Sequence, residues 1–181
     1  MNRIHRRLAA LLLLLPFLTA AEKQSHVLTG KIVHIADGDT VTVLDAEKTQ
    51  HKIRLLGIDA PESHQAFGQQ AKKAISEKIS EKEVKVLWHS KDKYGRTLGD
   101  IYLDKRWINK EMVADGFAWH YKHYSKDKTL ADAEIEARNA KRGLWQDAHP
   151  IPPWEYRRTE AERRKERRQE PTPVEIQSEQ Q

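Results

Sequence analysis

Residues 53–62 read IRLLGIDAPE. The stretch has the apolar character of a β-strand, yet Arg54 sits inside it, and Asp59 and Glu62 stand on either side of Pro61 at its end. A fixed cation in an apolar run needs partners. They are either those of a surface salt bridge or those of a site that handles phosphate. At about 3.3 Å per residue, a straight strand leaves Asp59 some 16 Å beyond Arg54. A shared site therefore requires a sharp bend, which Gly57 can supply as a bulge or kink, with Pro61 turning the chain back afterwards.

Outward from this stretch, the periodicity alternates between two regimes. HVLTGKIVHIA, DTVTVLDA, HKIRLLGID, KEVKVLWHS and the shorter RTLGDIYLD are β-branched or alternating and read as strands. GQQAKKAISEKIS, INKEMVADG and TLADAEIEARNAKRG carry helical spacing, the last two running to Gly116 and Gly143 as expected stops. The order is three strands, a helix, two strands and two helices. Five short strands with three helices point to a small closed sheet in the α+β class rather than a doubly wound one, and a five-stranded OB-type β-barrel is one such solution.

The second and third strands form a predicted hairpin around DAEKT, which sets Asp39 opposite Leu55 or its neighbours and so near Arg54. DGDT, Asp37 to Thr40, is a common turn sequence, but here it brings a carboxylate beside the Asp59 cluster. Two carboxylates with further oxygen donors suit a hard cation such as Ca²⁺. The nine histidines are scattered without zinc spacing; His120 and His123 in WHYKHY could share a helical face. DKYGRTLGDIY places Arg96 where a turn enters a strand. Two guanidinium forks around an acidic pocket match phosphate, since each fork donates paired hydrogen bonds. Glu62 would then be a carboxylate able to accept a proton from water.

The ends differ from this middle. A basic leader (MNRIHRR), an apolar run interrupted by Pro16 and the small residues TAA read as an export signal over residues 1–21. The run falls short of the roughly 20 apolar residues of a membrane span. The whole chain carries +5, but losing Arg3, Arg6 and Arg7 leaves 29 basic residues against 27 acidic ones. Binding to a polyanion must then come from a local site rather than bulk charge. There is no cysteine, so the chain relies on an ordinary core. Residues 22–149 form the expected domain. Residues 150–181 form a charged tail with its prolines at 150, 152 and 153 taken as breakers. Its seven basic and seven acidic residues after Pro150 read as a solvated charge run, disordered or partly helical.

IADGDTVTV, IRLLGIDAPE and DKYGRTLGDIY, in this order and spacing, together resemble the thermonuclease family of staphylococcal nuclease-like proteins, and EMVADGFAWHY and EARNAKRGLW extend the likeness over roughly residues 27–145. The resemblance implies an OB-type barrel and roles for single residues. Asp39 and Asp59 match Ca²⁺-binding aspartates. Ala60, where a threonine is common, would offer its backbone carbonyl to the ion. Arg54 and Arg96 match the arginines that hold the scissile phosphate, and Glu62 the general base. Tyr94 and Tyr124 match tyrosines placed against the bound nucleotide. The loop after Glu62, SHQAFGQQ, is short. The implied activity is Ca²⁺-dependent cleavage of DNA and RNA, single-stranded or frayed, leaving 3′-phosphates, by an exported monomer in the periplasm or medium. The alternative is a non-catalytic OB-fold module that binds nucleic acid or protein, which the presence of all five charged site residues disfavours.

Overall fold

The computed structural model describes residues 25–169; the export signal expected over residues 1–21 and the last twelve residues lie outside it. Five strands build the barrel: β1 (His26–Ile35), β2 (Thr40–Leu44), β3 (Gln50–Leu55), β5 (Glu83–Lys91) and β6 (Thr97–Leu103). Short β4 (Ile58–Asp59), β7 (Arg106–Trp107) and β8 (Trp119–His120) join them. The helices are α1 (Gly68–Ile79), α2 (Ile108–Ala114), α3 (Lys128–Asn139) and α4 (Pro153–Gln169), with a 3₁₀ turn at Gly143–Gln146. No helix among the described residues is long and apolar enough to cross a membrane.

The sheet runs β3-β2-β1-β5-β6-β7, and a parallel β3–β6 pairing closes the barrel. β1 serves two neighbours, pairing with β5 from His26 to Lys31 and with β2 from Lys31 to Ile35. The register slips between Ile32 and His34 and again between Trp88 and Ser90. Such irregularities bend strands and let a twisted sheet curl onto itself. The interior is aliphatic, with Val41, Ile53, Ile75, Val86, Ile101 and Met112 fully buried. Burying each such side chain stabilises the fold by roughly 1.5–3 kcal/mol. A second cluster holds Trp119, Ala137, Leu144 and Trp145, with Phe67 and Trp154 packed on its edge.

The five-stranded barrel and its three helices stand as expected, with refinements. The third strand ends at Leu55, and Ile58–Asp59 is a separate strand paired with β8. Asp127 accepts hydrogen bonds from the amides of Thr129 and Leu130 and caps α3. That helix ends at Asn139, short of Gly143, because Lys141 already adopts a left-handed conformation. His120 lies in β8 and His123 in the turn after it, so the two share no helical face. A fourth helix occupies the tail. Pro153 does not break structure there; it opens α4, where its missing N–H and fixed φ suit a first helical position.

Candidate active site

Arg54 alternates with Ile53 and Leu55 along β3, and because those two face the core, it points to the opposite side. The β2–β3 register sets Thr40 against Arg54, and the Leu55 amide donates to the Asp39 carbonyl at 2.8 Å. Asp39 and Arg54 form an ion pair. The other Asp39 oxygen accepts the Ala60 N–H at 2.6 Å, which laces the DGDT turn to the segment after β4. Asp37 shapes that turn by accepting the Asp39 N–H at 3.0 Å.

Gly57 makes the bend that IRLLGIDAPE requires. Its φ of +76° is a left-handed value, and a Cβ there would lie 2.9 Å from Leu130 Cδ1. The chain leaves the barrel at this residue and enters a two-stranded ladder, Ile58 against His120 and Asp59 against Trp119. Two backbone bonds fix the corner: Leu56 N–H to the Gly99 carbonyl and Tyr121 N–H to the Gly57 carbonyl, each 2.9 Å. The buried Asn109 amide donates to the Leu56 and Gly99 carbonyls, while its oxygen accepts the Ile101 N–H. With the corner so held, Arg54 Nη2 reaches Asp59 Oδ1 at 2.6 Å. One guanidinium thus bridges Asp39 and Asp59. Burial pulls the Arg54 pKa below its ordinary value, the Asp59 and Asp37 charges oppose this, and the Arg96 charge adds to it.

Glu62 follows Pro61 at the mouth of this cluster and is partly exposed. Its amide donates to Gln65 Oε1 at 3.1 Å. Its carbonyl lies so close to the start of α1 that a Cβ on Gly68 would sit 1.9 Å from it. Gly68 is therefore what permits the short loop. Arg96 is built by the YGR turn: Asp92 accepts the Tyr94 and Arg96 amides and takes Arg96 Nε at 2.7 Å. Parallel pairing of Ile53 with Thr97 places Arg96 beside the β3 rung that bears Arg54. Arg96 makes no ion pair with Asp39, Asp59 or Glu62 among the described residues; its partner is Asp92.

The residue that sequence reasoning missed is Arg157. From α4 it sets Nη1 and Nη2 on the two oxygens of Asp59 at 3.1 and 2.8 Å, and Nη1 also reaches Glu62 at 2.8 Å. Burial alone would lower its pKa, but the bonds to Asp59 and Glu62 push it above the ordinary value. The signal available in the sequence was PPWEYRR, a helix-opening proline followed by an aromatic anchor and arginines.

Aromatic side chains extend the site. Tyr94 is exposed beside Arg96, whose guanidinium lies 5.6 Å from the ring centroid. Tyr124 is exposed too and meets Tyr121 edge-on at 4.9 Å. Tyr121, absent from the expected residues, stacks parallel on Trp154 at 5.1 Å. Tyr121, Tyr124 and Trp154, with Trp119, His120 and Arg138, line a cavity of about 490 Å³; Tyr94 lies outside it. Burial first and the Asp59 charge second raise the Tyr121 pKa.

Among the described residues no three His, Asp or Glu side chains gather as a metal cage. Asp39 and Asp59 nevertheless meet around one guanidinium, beside the Ala60 backbone. Asp39, Asp59 and Glu62 against Arg54 and Arg157 leave a negative excess. Such an oxygen-only set with few protein ligands fits a hard cation that completes its shell with water and phosphate.

The chain matches the family model described as staphylococcal nuclease homologue over residues 52–147. A Haemophilus influenzae protein named "Uncharacterized endonuclease" is 43% identical over 153 residues, covering 84% of this chain and 85% of its own. The Shigella flexneri protein named "Micrococcal nuclease" is 41% identical over 140 residues, covering 71% of this chain and 80% of its own. Barrel, bend and charged cluster are thus those of a chain that belongs to the staphylococcal nuclease family, the thermonucleases.

Proposed function

We propose that this nuclease is an exported, Ca²⁺-dependent phosphodiesterase that cuts DNA and RNA with little sequence preference and leaves 3′-phosphates. The observation that carries the reading is the bridging of Asp39 and Asp59 by Arg54 across the Gly57 bend, with Glu62 three residues further on. Asp39, Asp59 and the Ala60 carbonyl would hold the Ca²⁺, which when bound supplies charge neutralisation at a non-bridging phosphate oxygen.

The chain's own groups do the rest. Glu62 accepts a proton from the attacking water, for which it must first release Arg157. The new bond forms from water oxygen to phosphorus, the bond to the 5′ oxygen breaks, and that oxygen leaves as a 5′-hydroxyl after taking a proton. Arg54 and Arg96 stabilise the extra negative charge of the five-coordinate transition state, where fixed cations act most strongly. Tyr94 and Tyr124 offer faces for unstacked bases, which favours single-stranded or frayed substrate. The leader supports export to the periplasm or medium, and we take the working form to be a monomer.

Digestion of heat-denatured DNA and of RNA tests the reading. Purified protein should cut both with Ca²⁺, stop in EGTA and resume when Ca²⁺ is restored, and end-group analysis should find 3′-phosphates. Activity that survives chelation removes the ion from the mechanism. No digestion under any condition, with strand binding retained, leaves the non-catalytic module.

A further inference from the structure

In sequence the tail interleaves glutamates with arginines and shows no face. The helix sorts them. At about 100° per residue along α4, Arg157, Arg158, Arg164, Lys165 and Arg168 fall within an arc of about 120° that contains no acid. Glu155, Glu162 and Glu166 collect within about 40° elsewhere on the circumference. The remaining glutamate of the helix, Glu160, is tied to Arg163 at 2.9 Å.

The basic arc has a direction. Trp154 lies within it and stacks on Tyr121, so this is the side by which the first turn meets the body. Arg157, next along the arc, reaches Asp59 and Glu62. Beyond it every residue from Ala161 to Gln169 is exposed, and the arc continues outward for roughly 16 Å from Arg157 to Arg168 at 1.5 Å per residue. A stripe of cations therefore begins in a cleft read above as a phosphodiester site and leads away from it.

We propose that the basic face of α4 is a guide for the phosphate backbone of the substrate strand, carrying it along Arg158, Arg164, Lys165 and Arg168 to the active site. The inference rests on the nuclease reading. Charge complementarity and continuity with the cleft select a nucleic-acid strand as occupant. Contacts to phosphate position a strand without reading its sequence, which agrees with unselective cleavage. They also release counterions, so the guide has a salt signature.

The test uses the full chain in EDTA with a fluorescent single-stranded 20-mer, following anisotropy across a salt series. Replacing Arg158→Gln, Arg164→Gln, Lys165→Gln and Arg168→Gln together should flatten the slope of log affinity against log salt by about 3, at roughly 0.7 per lost phosphate contact. Affinity at low salt should fall at least tenfold. A control with the same loss of charge outside α4, Lys73→Gln, Lys82→Gln, Lys105→Gln and Lys110→Gln, should lose far less. Arg158→Lys, Arg164→Lys and Arg168→Lys, which keep the charge, should bind within about twofold of wild type. Equal losses in the glutamine set and the control overturn the guide. So does wild-type binding by the glutamine set while the wild-type chain digests DNA, and then only the guide falls. A wild-type chain that neither binds the strand nor cuts DNA overturns the guide together with the nuclease reading.

Discussion

Asp59 is fully buried and takes hydrogen bonds from Arg54 and Arg157, while Glu62 at the mouth shares the second of these. The roles proposed for Glu62 and Arg96 predict a separation of activity from stability. Neither side chain fills the core, so Glu62→Gln and Arg96→Ala should each lower kcat by about 10²–10⁴ with little change in urea midpoint. A variant of either kind that digests DNA at the wild-type rate removes that residue from the chemistry. Arg157 makes the opposite prediction. Its fork competes with a cation for Asp59, so Arg157→Gln should tighten Ca²⁺ binding by about tenfold, as expected if the contact is made nine-tenths of the time. Calorimetric titration reads this directly, and unchanged or weaker binding would show that the fork does not compete.

At the scale of elements, the bend at Gly57 depends on what holds it from behind. Asn109 ties Leu56 and Gly99 to the first turn of α2, and its loss would strand the Leu56 carbonyl and the Ile101 amide without their side-chain partner. Asn109→Leu should destabilise the protein by about 2–4 kcal/mol in urea unfolding, and a loss below about 1 kcal/mol would mean water takes over both groups. This residue also marks where sequence reading stops. The Asp39–Arg54 pairing was legible because a short hairpin fixes it, and Gly57 because a straight strand could not join Arg54 to Asp59. Asn109 was not, since nothing in INKEMVADG distinguishes a buried amide that serves two strands from a polar helix residue. Arg157 was hidden for another reason. Its contact with Asp59 spans 98 residues, and alternating charges look alike in a coil and in a helix until the helix gives them sides.

For the molecule as a whole, a buried histidine makes stability depend on pH. His120 is buried in β8, and burial first holds its imidazole below the ordinary value, with Lys122 in the same direction and Glu134 and Asp127 against it. The unfolded chain therefore takes up this proton before the folded one. The contribution to stability is complete above about pH 6.5 and declines as pH falls below it. The melting temperature should drop between pH 7 and pH 5, and His120→Gln should narrow that drop by a few degrees. An identical drop in the variant would assign the acid sensitivity elsewhere.

The ladder that carries Asp59 has only two residue pairs, and it lies outside the sheet that closes the barrel. Fold and chemistry nevertheless meet at this corner, because Ile58 of the ladder packs in the barrel core and Asn109 ties the adjoining Leu56 to β6. A change at Ile58 reaches the barrel and the setting of Asp59 together, whereas Glu62 and Arg96 lie outside that core. A lineage with this architecture can retire its chemistry at Glu62 or Arg96 and keep its scaffold, but cannot redraw the corner without renegotiating the barrel.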